Sequence, residues 1–203
     1  DLVAGGRASA NVAIARTYRS RTLGWSPLGL GWDSPMFRRL RQLWNGDVEF
    51  RDGSGEIRTF KRGDGSYVPP PGVFLKLERS SGGWSLIDLN NRIQRFDDRG
   101  RIVFEADEFF VPGDADKGNA IHYLYDATGR LARIIDTVGR MTTISYWDRC
   151  GASDTGCYTG LVRQIDDWRG RRVNYEYDAQ MRLRTVVLPQ VAIAAGVPAI
   201  HQL

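Results

Sequence analysis

The sequence predicts an all-β chain built from antiparallel β-hairpin repeats that form a ribbon, and three observations carry that expectation. Short runs rich in Val, Ile, Tyr, Phe and Trp recur about every ten residues, and the gaps between them hold Asp-Gly, Thr-Gly, Arg-Gly or Val-Gly pairs. No long stretch keeps the 3.6-residue period of an amphipathic helix. The 23 glycines exceed ordinary usage, which agrees with a chain that turns often.

The elements follow in order. Pro35 to Trp44, with MFRRLRQLW, fits either a short helix or a basic strand pair. Asp47 to Phe50 and Ile57 to Lys61 flank RDGSGE, where Asp52-Gly53 marks a hairpin because glycine accepts the positive φ such turns need. Trp84 to Asp88 and Arg92 to Phe96 flank LNN in the same way. The second half carries an internal repeat. One unit opens at Tyr125-Asp126, continues through Gly129-Arg130, Asp136 and Gly139-Arg140, and closes at Tyr146. A second unit, 31 residues on, repeats it with Asp167, Gly170-Arg171 and Tyr177-Asp178. An earlier partial copy starts at Gly100-Arg101-Ile102 and a further one at Met181-Arg182-Leu183. Each glycine is expected in a turn and each tyrosine at the close of a strand; a lone hairpin is marginal in water, so the units must stack. Residues 107–120 and 150–159 read as insertions between units.

With 203 residues, 42% of them hydrophobic and 26% charged, the chain can bury a core and is not compositionally disordered. No apolar run is long enough for a membrane helix, and DLVAGGRASANVAI lacks the form of a signal peptide. Basic residues total 28, all arginine but for three lysines, and the net charge is +4. Arginine forks suit nucleic acid, but here they alternate with 24 acidic residues, a pattern of cross-strand ion pairs, so nucleic acid is not an expected partner.

Cys150 and Cys157 stand in the glycine-rich CGASDTGC. They fit a disulfide, which would favour an oxidising setting, or remain reduced thiols; with no histidine nearby in sequence they make a poor zinc site. Asp114, Asp116 and Asn119, near Glu105, Asp107 and Glu108, gather oxygen ligands but miss the EF-hand spacing, so the segment reads as a solvated acidic insertion and no metal is assigned. The histidines are His122, on the polar face of a strand, and His201, in a tail. Neither has the partners of a hydrolytic triad. The turn aspartates bond their own backbone rather than act as acids. Most of the six tryptophans, Trp25, Trp32, Trp44, Trp84, Trp147 and Trp168, are expected to pack between ribbons, and no phosphate-binding loop or other cofactor signature is present.

The motifs YDATGRLARIID, DTVGRMTTISY and DDWRGRRVNYEYD, behind the segment YRSRTLGWSPLGLGWDSP at residues 18–35, VEFRDGSGEIRTF and DGSYVPPPG, resemble the Rhs or YD-repeat family, which includes toxin-complex shells, polymorphic toxins and the teneurins. The resemblance implies long hairpin ribbons that spiral into a hollow shell, in bacteria often around a toxic carboxy-terminal domain. It divides the chain into a lead-in region at 1–95, YD-repeat hairpins at 96–189 and a tail or linker at 190–203. It implies a secreted or cell-surface protein, delivered in bacteria by a secretion system, whose partners are the rest of a larger chain and the enclosed toxin or effector. Bacterial shells of this kind commonly end in a DPxGL-type segment with paired aspartates that releases the cargo; this chain has none, and self-cleavage is not assigned to it. The expected function is structural containment or display without catalysis. The alternative is an extracellular β module that binds carbohydrate or protein at a cell surface, for which exposure of Trp147 and Trp168 discriminates.

Overall fold

The computed structural model describes residues 2–4, 11–21, 24–111, 118–148 and 159–189. Among them the chain is all-β, without an α-helix, and its strands pair antiparallel throughout.

Three small pairs begin it: β1 (Leu2–Ala4) with β2 (Val12–Ile14), β3 (Thr17–Tyr18) with β6 (Trp32–Asp33), and β4 (Trp25–Ser26) with β5 (Gly29–Leu30). A four-stranded sheet follows, from β7 (Arg39–Gln42), β8 (Val48–Arg51), β9 (Ile57–Arg62) and β10 (Tyr67–Val68). The remainder is one ten-stranded meander, each strand beside the next in sequence: β11 (Leu75–Ser80), β12 (Gly83–Asp88), β13 (Ile93–Phe96), β14 (Ile102–Ala106), β15 (Ala120–Tyr125), β16 (Leu131–Ile135), β17 (Met141–Tyr146), β18 (Val162–Asp166), β19 (Arg172–Tyr177) and β20 (Leu183–Val187).

The two-residue alternation of the sequence sets which face is buried. In β15, Ile121 and Tyr123 are buried while His122 and Leu124 are exposed; in β19, Val173, Tyr175 and Tyr177 are buried while Arg172 and Glu176 are not. The buried face joins Leu28, Leu40, Phe50 and Phe60 of the first half to Leu86, Ile102, Ile134, Ile165 and Val173 of the meander in a single apolar cluster. Each such side chain contributes roughly 1.5–3 kcal/mol when removed from water. Edge-on ring contacts join the two sheets, Phe50 to Phe96 at 6.0 Å and Tyr67 to Trp84 at 5.4 Å between centroids.

The segment Pro35 to Trp44 settles as one turn and a strand. Ser34 caps a short 3-10 turn at Pro35–Phe37, its hydroxyl accepting from the Met36 amide, and β7 follows at once. Strand pairing outcompetes the weak helical spacing because β7 finds partners on two sides: β8 takes one, and the Leu40 amide donates to the Gly100 carbonyl at 2.8 Å.

Candidate functional site

The most elaborated feature of the molecule is a lattice that repeats along the ends of the meander. Its unit is a five-residue turn. In Asp97–Arg101, Asp126–Arg130, Asp136–Arg140, Asp167–Arg171 and Asp178–Arg182, the aspartate amide donates to the arginine carbonyl and the amide of the fourth residue donates back to the aspartate carbonyl. The carboxylate then fills the loop. One oxygen accepts the amides two and four residues on, at 2.8–3.0 Å, and the other accepts the arginine Nε, at 2.6–3.0 Å. The fourth residue lies at positive φ, which explains its identity: Gly129 is at +84°, Gly139 at +81° and Gly170 at +74°, whereas Met181 adopts +59° without being glycine. An aspartate side chain that reaches its own backbone satisfies donors which a tight turn would otherwise leave to water.

At three of these turns, those of Asp126, Asp167 and Asp178, the contacts favour the charged carboxylate. For Asp126, burial is the largest influence and acts upward, but the Thr128 hydroxyl and the Arg130 amide and guanidinium together outweigh it and bring the pKa down to about 2. Asp178 is lowered chiefly by the Arg182 amide. Asp167 is lowered as well, its bonds to Arg171 and Arg169 overcoming the upward push of burial.

The turns alternate between two rims of the sheet, and only one rim carries the tyrosines. Tyr125, Tyr146 and Tyr177 each stand just before a turn on that rim, and at each the strand register slips by one residue, a bulge that swings the ring toward the preceding hairpin. Their hydroxyls donate across the strand gap: Tyr125 to the Ile102 carbonyl at 2.8 Å, Tyr146 to Leu131 at 2.7 Å and Tyr177 to Val162 at 2.9 Å. Each acceptor is the residue that follows the preceding tyrosine-rim turn. The arginine of that turn covers the incoming ring, Arg101 over Tyr125 at 4.3 Å and Arg130 over Tyr146 at 5.0 Å. One arginine therefore clamps its own aspartate and roofs the next hairpin's tyrosine. Burial pushes all three phenol pKa values well up, so these hydroxyls remain donors.

Two variants of the unit accommodate the insertions. Asp107 closes a loop with Asn119 instead of Arg: its amide donates to the Asn119 carbonyl at 3.1 Å, and its carboxylate accepts the Phe109 and Asn119 amides and the Asn119 side-chain amide. Residues 108–118 thus replace the three residues of an ordinary turn. At the other insertion Trp147 takes the place of aspartate, pairing with Leu161 at 2.8 Å and Gly160 at 3.1 Å, and its indole N–H donates to the Tyr175 carbonyl at 3.2 Å. Trp147 is half-buried, while Trp168 is 41% exposed but flanked by the guanidiniums of Arg140 and Arg169, at 4.7 and 4.6 Å.

The tyrosine rim is where the first half of the chain docks. The Pro27 carbonyl accepts from the Val162 amide at 2.7 Å and from the Tyr177 hydroxyl at 3.4 Å, and Gly100 is held by Leu40. Deeper between the sheets, Glu105 pairs with Arg38, and the pKa of the nearby Tyr123 hydroxyl is raised by burial and then by the Glu105 charge. His122 is exposed on its strand, its ring 5.3 Å from that of Phe104.

Cys150, Cys157, Asp114, Asp116 and His201 lie outside the described residues. Among the described residues no group of three or more His, Cys, Asp and Glu is placed to hold a metal, and no helix is long and apolar enough to cross a membrane. No family model matches the chain, and no curated protein matches it.

Proposed function

We propose that this chain is a structural segment of a YD-repeat shell of the Rhs kind, which contains or displays a toxin or effector domain, in a secreted or cell-surface protein, and does no chemistry itself. One observation supports the reading most: hydroxyl-to-carbonyl bonds from Tyr125, Tyr146 and Tyr177 fasten each hairpin to the one before it, so the residues that define the repeat are those that couple its units. Such coupling stiffens a ribbon along its length, as a wall requires, because every unit is stabilised by its neighbours. The residues with shifted carboxyl groups described above are all engaged in closing turns, where their lone pairs serve backbone donors rather than a substrate.

The test uses the parent protein that carries whatever follows this segment. Limited proteolysis should leave the downstream domain intact in the parent and expose it when Tyr146→Ala and Tyr177→Ala are combined. Equal cleavage of the two proteins would remove the containment reading. The second reading, a carbohydrate- or protein-binding surface module, has the Trp44 indole in its favour, 99% exposed at a hairpin tip. Loss of glycan binding on Trp44→Ser would promote it.

A further inference from the structure

We propose that β20, the last strand of the meander, is an acceptor for one more antiparallel strand, and that its socket selects a strand carrying tyrosine at one register. The proposal rests on the repeat reading above and extends it to a partner of stated chemistry.

The rule comes from three completed cases. Each tyrosine lies one residue past the position that the strand register sets opposite its acceptor: the register of Phe104 with His122 leads to Ile102 and Tyr125, that of Arg133 with Thr143 to Leu131 and Tyr146, and that of Gln164 with Asn174 to Val162 and Tyr177. In the final tyrosine-rim turn, Asp178–Arg182, the acceptor position is Leu183. Among the described residues β20 has no neighbour beyond it, and none of them brings a tyrosine there.

The arginine of this turn differs from its counterparts in exposure. Arg182 clamps its own Asp178 at 2.7 Å as its counterparts do. Its side chain is nevertheless 61% exposed, against 29% for Arg101 and 27% for Arg130, which lie against tyrosine rings. The space beside it has walls. A cleft of about 440 Å³ runs between Arg182 and Leu183 on one side and Tyr18, Leu30 and Trp32 on the other, with the Tyr18 and Trp32 rings 5.0 Å apart. An aromatic wall facing a guanidinium suits a phenol ring whose hydroxyl is aimed at a carbonyl.

The occupant is therefore an extended strand with tyrosine one residue past the partner of Leu183, pairing through main-chain bonds along Leu183–Val187. A second copy pairing through the opposite terminal strand of its meander does not meet the requirement, because β11 reads LKLERS and has no tyrosine. A further clamped turn does not deliver it either, since Leu188 stands where Asp136 and Asp167 open the turns of the other rim.

The experiment uses the whole chain and a synthetic peptide copying residues 172–180, with a second peptide carrying Tyr177→Phe. Hydrogen exchange should show the first peptide slowing exchange in β20 saturably, with the phenylalanine peptide binding at least tenfold more weakly. Arg182→Ala in the chain should weaken both peptides, because the guanidinium faces the ring they share, while the preference for tyrosine over phenylalanine, set by the Leu183 carbonyl, persists. Equal binding of the two peptides, protection at β11, or no protection at millimolar peptide would overturn the proposal. So would sedimentation showing that the chain alone dimerises with β20 protected, which would make a second copy the occupant. These outcomes are independent of cargo protection in the parent protein, so either reading can fail without the other.

Discussion

The Tyr146 hydroxyl donates to the Leu131 carbonyl at 2.7 Å, joining two hairpins through residues 15 positions apart. Removing only the oxygen, in Tyr146→Phe, leaves that carbonyl without its donor and should cost about 1–2 kcal/mol. Removing the ring as well, in Tyr146→Ala, should cost about 3–5 kcal/mol, the range for a large aromatic lost from packed surroundings. Urea unfolding of the two variants beside the parent measures both. If the phenylalanine variant matched the parent, the hydroxyl bond would contribute nothing to the coupling of hairpins.

Glycine replacements should separate backbone strain from close packing. Gly139 is at φ +81° with open space where a Cβ would stand, so Gly139→Ala should cost about 1–2 kcal/mol, the penalty of a left-handed conformation alone. Gly100 is at +76°, and a Cβ there would meet the Leu40 carbonyl oxygen at 2.0 Å. Gly100→Ala should therefore be clearly the more destabilising, since it also pushes β7 from the meander. Thermal midpoints of the two variants, compared directly, decide the point.

Acid should loosen the turns in a defined window. A carboxyl with a folded pKa of about 2, such as Asp126, against about 3.9 in an unfolded chain, adds stability above pH 4. That stability is lost as the pH falls from about 4 through about 2. The depressed values of Asp107, Asp167 and Asp178 act in the same direction. The unfolding midpoint should fall across that window, and Asp126→Asn should make the fall shallower. A slope unchanged by the substitution would mean that the clamp does not hold the charge.

Trp44 tests the surface. Its side chain is almost wholly in solvent, so Trp44→Ser should change stability by less than about 0.5 kcal/mol. A larger loss by calorimetry would show that the hairpin tip packs on something.

Much of the ribbon was legible because its signals are local. Asp136, Gly139 and Arg140 lie within five residues, and the turn they form is decided by the reach of one carboxylate and the φ of one glycine. What sequence reading missed is non-local or substituted. Nothing marks Trp147 and Leu161 as standing for Asp and Arg across an insertion; the one available clue is that Gly160-Leu161-Val162 follows the Gly-Arg-Ile order of residues 100–102. Asn119 as the partner of Asp107 was hidden likewise, because the oxygen-rich segment around it drew attention to cations rather than to its own backbone. Pro35 to Trp44 was ambiguous since a strand there is selected by partners remote in sequence, Phe50 and Gly100 among them.

The grip of Pro27 on Val162 and Tyr177 bears on how the chain is made. The bond to Tyr177 spans 150 residues, so the amino-terminal strap leaves the ribosome long before its seat exists. At 5–20 residues per second, synthesis of the intervening chain takes roughly 8 to 30 seconds. During that interval the Pro27 carbonyl lacks the Val162 amide and the Tyr177 hydroxyl that it accepts from in the folded chain. The meander can assemble hairpin by hairpin as it emerges, from short-range contacts that close quickly, whereas the strap must wait and dock last. The order of synthesis thus makes the earlier-made of the two segments the later latch, and a chain interrupted before residue 162 would leave it exposed to chaperones and proteases.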